Sequence, residues 1–142
     1  MEEEKQSIMA TLEDYAAAYC AKDIDALMHV FADGEDISLI GTGGDELCGG
    51  REAVKKVIIR NFEEATAYQF EWHWSHIIVS NYHAVVAITL TIHLEYQGND
   101  LKVPVRWTVA LKKDQGRWAW LHRHASSAAS SQDEGQAYPK DG

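Results

Sequence analysis

Apolar residues at Ile8, Leu12, Tyr15, Ala16, Tyr19 and Cys20 recur every three to four positions, with polar residues between them. That spacing predicts an amphipathic helix over residues 3–22 with one face for a core. The acidic start, MEEEKQ, suits the positive end of the helix dipole. Asp23 is placed to cap a second, short helix, IDALMHVF, which Asp33-Gly34 stops. DISLI then reads as a short strand, followed by the glycine-rich stretch LIGTGGDELCGG. Residues 51–65 return to helical spacing, with Val54, Val57, Ile58 and Phe62 on one side.

Beyond that point the period changes to two. YQFEWHWSHIIVS, HAVVAITLTIHLEY, LKVPVRWTVALKK and RWAWLHRHASS are rich in β-branched and aromatic residues. Ser80-Asn81, Gly98-Asn99-Asp100 and Asp114-Gln115-Gly116 separate them, and short turns between long strands predict an antiparallel meander. Pro104 is expected at an edge or a bulge, because it cannot donate to a ladder. Residues 128–142 are small and polar and are expected to form a disordered tail after a single domain over 1–127. Helix, helix, strand, helix and four long strands make an α+β domain. Its helices pack on one face of a curved antiparallel sheet, and a bent sheet closed by helices leaves a cone-shaped cavity.

Composition narrows the function. The net charge of −9 argues against nucleic acid and against anionic membrane surfaces, both of which would repel the chain. No apolar run reaches the roughly 20 residues a bilayer requires. The first residues lack the basic and apolar regions of a signal peptide, so a cytoplasmic protein is expected. Cys20 and Cys48 form no metal motif; free thiols are the main expectation and a disulfide between them the lesser one. Five Trp and six Tyr supply aromatic walls for a pocket or an interface.

The glycine stretch fails both phosphate tests. From Gly44 it reads GDELCGGR, without the Lys and hydroxyl of a Walker loop, and GTGGDE has Glu46 where a dinucleotide fingerprint needs its third Gly. The glycines are expected to serve positive φ angles and close strand–helix approach. Asp45 and Glu46 are expected to cap local amides or form a salt bridge, with a role as a displaced general base left open. His122 and His124 stand two apart on a strand and share a face. A third metal ligand would have to come from His73, His76, His83 or His93, and none is evident, so no metal and no cofactor are expected.

An arginine inside an apolar strand is costly to bury without a partner. If the last turn centres on Gln115-Gly116, Arg106, Thr108 and Arg123 share one face; a one-residue shift breaks the grouping. The pair then reads either as an anion clamp for a small carboxylic acid or as an internal ion pair with Glu71, Glu95 or Asp45. Phe70, Trp72, Trp74 and His76 alternate with Glu71, His73 and Ser75, which gives the sheet two unlike faces and leaves open which one lines the cavity. Bulk on both faces predicts a homodimer through the sheet.

Three stretches carry a family resemblance. ISLIGTGGDELCGGREAV resembles the first strand, loop and third helix of SnoaL-like proteins, in the nuclear transport factor 2-like and ketosteroid isomerase-like superfamily. VRWTVALKKDQGRWAWLHRHAS is similar to that family's closing hairpin, and AAAYCAKDIDALMHVFADG to its passage between the first two helices. Together they span about residues 8–127. The resemblance implies a cone-like α+β barrel of the cystatin-like type, usually dimeric, with a pocket between sheet and first helix. It does not imply one activity, since the superfamily includes isomerases, cyclases, dehydratases, epoxide hydrolases, kinase hub domains and transport factors.

For the site, the resemblance implies that the general base of ketosteroid isomerase would fall at Gly41, which cannot move a proton, and its protonated acid near Thr108. Tyr15 falls at the position of the oxyanion tyrosine. Kinase hub domains carry carboxylate-facing arginines on the last two strands, of which the final one falls nearer Ala125 than Arg123. The expected function is a small-molecule-binding domain with a semi-polar pocket for a carboxylate or carbonyl ligand, contacted by Tyr15, Tyr19, Arg106, Thr108 and Arg123. The first alternative is an isomerase, cyclase or dehydratase in which Tyr15 polarises a carbonyl and His73, His93 or Asp45 moves the proton, these four being the candidate catalytic residues. The second is a non-catalytic dimerisation or protein-interaction module.

Overall fold

The computed structural model describes residues 1–140. Helix α1 spans Glu2–Ala21 and buries Ile8, Leu12, Tyr15, Ala16 and Ala18, the face its spacing predicts. Lys22 ends it in the left-handed region, at φ 56°. Asp23 then caps α2, Ile24–Val30, by accepting from the Ala26 amide at 3.1 Å. α2 stops at Val30, earlier than Asp33-Gly34, because Phe31 turns extended and bridges to Trp120.

Strand β1 is Ser38–Ile40 and β2 is Leu47–Gly49, an antiparallel partner that the sequence does not announce. The glycine-rich stretch is therefore a hairpin. Gly50, at φ 92°, leads into α3, Arg51–Glu64, which buries Val54, Val57, Ile58 and Phe62 as expected. Strands β3, Thr66–Val79, β4, His83–Tyr96, β5, Asn99–Asp114, and β6, Arg117–Ser126, form the long meander. The six strands lie in the order β2-β1-β6-β5-β4-β3. β1 runs parallel to β6, so the sheet is mixed rather than wholly antiparallel, and it is curved without closing into a barrel.

Two-residue turns join the last three strands. Gln97-Gly98 and Gln115-Gly116 both have positive φ throughout, which matches the twist of the strands they connect. The first of these turns lies ahead of Asn99 and Asp100, which belong to β5. Pro104 sits where β5 extends past the end of β6 and pairs with β4 alone, a local edge.

Bulges set which residues face the helices. β3 has register shifts between Ala67 and Gln69 and between Trp72 and Ser75. Phe70 and Trp72 therefore pack on the core while Trp74 stays exposed, so the expected row of Phe70, Trp72, Trp74 and His76 does not form. In β6 the turn centres on Gln115-Gly116 as supposed, and Leu111 opposes Trp120, but Ala110 opposes His122. The extra residue, Leu121, inverts the alternation beyond it.

The core is an aromatic hub around Tyr15. Its ring stacks on Trp120 at 4.6 Å and meets Trp107 edge-on at 5.3 Å and Phe70 at 6.5 Å. Such pairs add to plain area burial. After Ser126 the chain forms turns without helix or strand, and Lys140 pairs with Asp133 at 2.7 Å. The last two positions of the expected tail lie outside the described residues. Among the described residues no helix is long and apolar enough to cross a membrane.

Candidate functional site

A cavity of about 520 Å³ opens between the sheet, α1, α3 and the glycine hairpin. Phe70 and Trp107 line it together with Ile92, Leu94, Val103 and Val105. Tyr15, Tyr19 and Arg123 supply its polar interior, and Asp45, Glu46, Arg60, Asn61 and Glu64 stand on the hairpin and α3 side. A largely apolar concavity with few convergent polar groups is the usual form of a small-molecule site. A second groove of about 580 Å³, beside α1 and α2, is lined by alanines together with Asp14, Asp23, His29 and Arg117, and holds no buried charge among the described residues.

Arg123 dominates the interior. It is 7% exposed and is the one buried charged or polar side chain among the described residues. The Leu121 bulge turns it inward. One Nη donates to the Tyr15 hydroxyl at 3.2 Å and the other to the Ile40 carbonyl at 3.5 Å. The guanidinium lies over the Trp107 ring at 5.1 Å, a cation–π contact. Its Nε is buried with no hydrogen-bond partner, and no described carboxylate lies within 4.0 Å of the group. A buried cation with an unpartnered donor is a costly arrangement.

Tyr15 and Tyr19 are held as neutral phenols. Burial raises the pKa of both; for Tyr15 the Glu46 charge adds to this, against the opposing pull of Arg123. Because Tyr15 Oη accepts from Arg123, its own proton is not used in that bond.

The glycine hairpin is built around Glu46. Its Oε1 accepts from the Gly43 amide at 2.7 Å, and its side chain is only 13% exposed. A Cβ at Gly41 would meet the Glu46 carboxyl carbon at 2.7 Å, and one at Gly43 would meet Oε1 at 2.8 Å. Neither glycine has positive φ, so both are required for the space that the carboxylate fills. The Glu46 carboxylate therefore lies beside position 41. Asp45, by contrast, is 70% exposed and pairs with Arg60 at 2.9 Å, whose hydrogen bond holds it below the usual carboxylate range.

The other expected site residues lie elsewhere. Arg106 opposes Ser126 and Thr108 opposes His124, on the outer face of the sheet, and Arg106 donates to Ser126 Oγ at 3.1 Å. The expected grouping of Arg106 and Thr108 with Arg123 is thus split by the Leu121 bulge. His73 bonds Thr91 at 2.9 Å and His93 bonds Glu71 at 2.8 Å, also on the outer face and away from the cavity. His122 bonds Ser38 at 2.7 Å, and burial, then the charge of His124, lowers its pKa. No group of three His, Cys, Asp or Glu side chains among the described residues is placed to hold a metal, and both cysteines are free thiols.

Comparison with known proteins extends this picture. Residues 8–130 match the model of the SnoaL-like domain. No curated protein matches significantly. A ketosteroid isomerase-like protein from Erwinia carotovora atroseptica superimposes with a TM-score of 0.77 at 20% identity, covering 91% of this chain and 99% of its own. A provisionally assigned dehydratase of the NTF2-like family from Streptomyces avermitilis gives 0.82 at 17% identity, covering 92% and 100%. A provisionally assigned calcium/calmodulin-dependent protein kinase II association domain from Xanthomonas campestris gives 0.75 at 19% identity, covering 87% and 86%.

Proposed function

Because this chain belongs to the SnoaL-like domain family, whose fold holds a cavity between sheet and helices, we propose that it binds a small molecule ending in a carboxylate or carbonyl oxygen. The carrying observation is Arg123, buried in the cavity with Nε unpartnered and no carboxylate beside it. A ligand oxygen would satisfy that donor and accept from Tyr15, while the apolar walls take the ligand body. The functional unit is the domain over 1–127.

A thermal-shift panel of small carboxylates, keto acids and phenols tests this. Carboxylates raise the melting temperature of the wild type, by a linkage effect that grows with ligand concentration. Arg106→Ala keeps the shift, since Arg106 faces away from the cavity. Equal melting curves with every compound would refute the reading.

A second reading is favoured by Glu46 overlapping the space beside Gly41. In it the protein is an isomerase, cyclase or dehydratase. Tyr15 polarises a carbonyl, and the Glu46 carboxylate, rather than Asp45, His73 or His93, accepts the proton.

Assembly through the outer face of the sheet is part of the proposal. Tyr68, Trp74, Ile78 and Val85 are exposed there, Trp74 at 59%. We expect a cytoplasmic homodimer whose net charge of −9 keeps it from nucleic acid and anionic membranes. Sedimentation at micromolar concentration should show a dimer that Trp74→Glu converts to monomer. A monomeric wild type would rule the interface out.

A further inference from the structure

The two ends of the cavity carry opposite charge. The floor holds Arg123, a cation with an open donor. The mouth holds three carboxylates, Asp45, Glu46 and Glu64, against one guanidinium, Arg60. Arg60 lies 2.9 Å from Asp45 and 3.6 Å from Glu46, and one guanidinium cannot neutralise three carboxylates. The mouth therefore keeps net negative charge while the floor is positive.

Glu46 and Arg123 also approach the same short segment of backbone. Arg123 donates to the Ile40 carbonyl, and the Glu46 carboxylate rests on Gly41, the next residue. They do so without forming an ion pair, since no N–O distance of 4.0 Å or less joins them. Both residues line the cavity, one a cation and the other an anion.

A plain carboxylate must pass the acidic mouth and leaves Glu46 with only the Arg60 guanidinium that it shares with Asp45. A plain amine is repelled by Arg123. A molecule with both groups satisfies both ends, and in a low-dielectric cavity each contact is strengthened relative to water. Phe70 and Trp107 suit an aromatic or branched apolar body. We infer that the cavity selects a small zwitterion, an amine-bearing carboxylic acid with an apolar body, over the corresponding simple acid. The carboxylate meets Arg123 and Tyr15, and the ammonium meets Glu46. This rests on the reading of Arg123 as a carboxylate site.

Titration calorimetry near neutral pH with three probes of one body tests it: L-phenylalanine with both charges, 3-phenylpropionate with the carboxylate alone, and 2-phenylethylamine with the ammonium alone. L-Phenylalanine should bind at least about tenfold more tightly than 3-phenylpropionate, the scale of one added charge contact. Glu46→Gln, which still accepts from the Gly43 amide, should erase that preference and leave 3-phenylpropionate binding equal or better. Glu64→Gln, at an exposed position, should reduce it less. If 3-phenylpropionate binds the wild type as tightly as L-phenylalanine, or if the preference survives both substitutions, the zwitterion inference fails and the carboxylate reading stands. If none of the three binds, or the amine binds best, both fail.

Discussion

Replacing Tyr15 with alanine is expected to cost about 3–5 kcal/mol of folding stability, the range for truncating a fully buried large aromatic residue. Tyr15 has no exposed surface, and its ring touches Trp107, Trp120, Phe70 and Tyr19. These neighbours come from α1, β3, β5 and β6, which cannot all close into the vacated volume. The hydroxyl adds a second cost, because its removal takes away a partner of the buried Arg123. Urea denaturation measures the change. Tyr82→Ala is the control: Tyr82 is 67% exposed, and its loss should stay within about 0.5 kcal/mol. A Tyr15→Ala protein within about 1 kcal/mol of wild type would mean that the hub does not hold the helices to the sheet.

The second large effect is on binding. Arg123→Met should weaken 3-phenylpropionate by roughly 30-fold or more, since truncating one side of a buried, hydrogen-bonded charge contact costs about 2–5 kcal/mol. The fold should survive. Methionine fills much of the arginine stem's volume, and a lone buried cation stabilises a protein poorly. Arg123→Met alone strands the Tyr15 hydroxyl, so Tyr15→Phe is added as a companion. The double variant removes both ends of the bond and should unfold at a urea concentration no lower than wild type, while binding no carboxylate. A double variant that binds as wild type does would remove Arg123 from the site. One that is several kcal/mol less stable would make the pair structural.

Much of the fold was legible because it rests on periodicity. The three-to-four spacing of Ile8, Leu12 and Tyr15, and of Val54, Val57 and Ile58, corresponds to the buried faces of α1 and α3. The alternating strands and the Gln115-Gly116 turn were equally plain. What was hidden depends on single inserted residues. Leu121 adds one residue to β6, and everything after it changes face, so Arg123 turns inward while Arg106 and Thr108 stay outside. Nothing about a leucine between Trp120 and His122 marks a bulge. The same event in β3 separates Trp74 from Trp72. β2 was missed because three residues are too few to show a period.

Glu46 was hidden for a different reason. Its place in the site depends on a side chain folding back over its own hairpin. The signal lay in the glycines. Gly41 and Gly43 precede a glutamate by five and three residues, and the space they leave matches its carboxylate. Positive φ angles and close strand–helix approach, the uses expected of these glycines, do not include room for a neighbouring side chain.

The most direct test of Arg123 as the ligand-binding cation is its Nε–H resonance, assigned by its absence in Arg123→Met and followed by nitrogen-15 NMR during titration with 3-phenylpropionate. A saturable shift of that resonance, accompanied by the Trp107 indole and with no movement attributable to Arg106, is the expected result. Binding that leaves the Arg123 Nε–H unmoved, or no binding up to millimolar ligand, would contradict it.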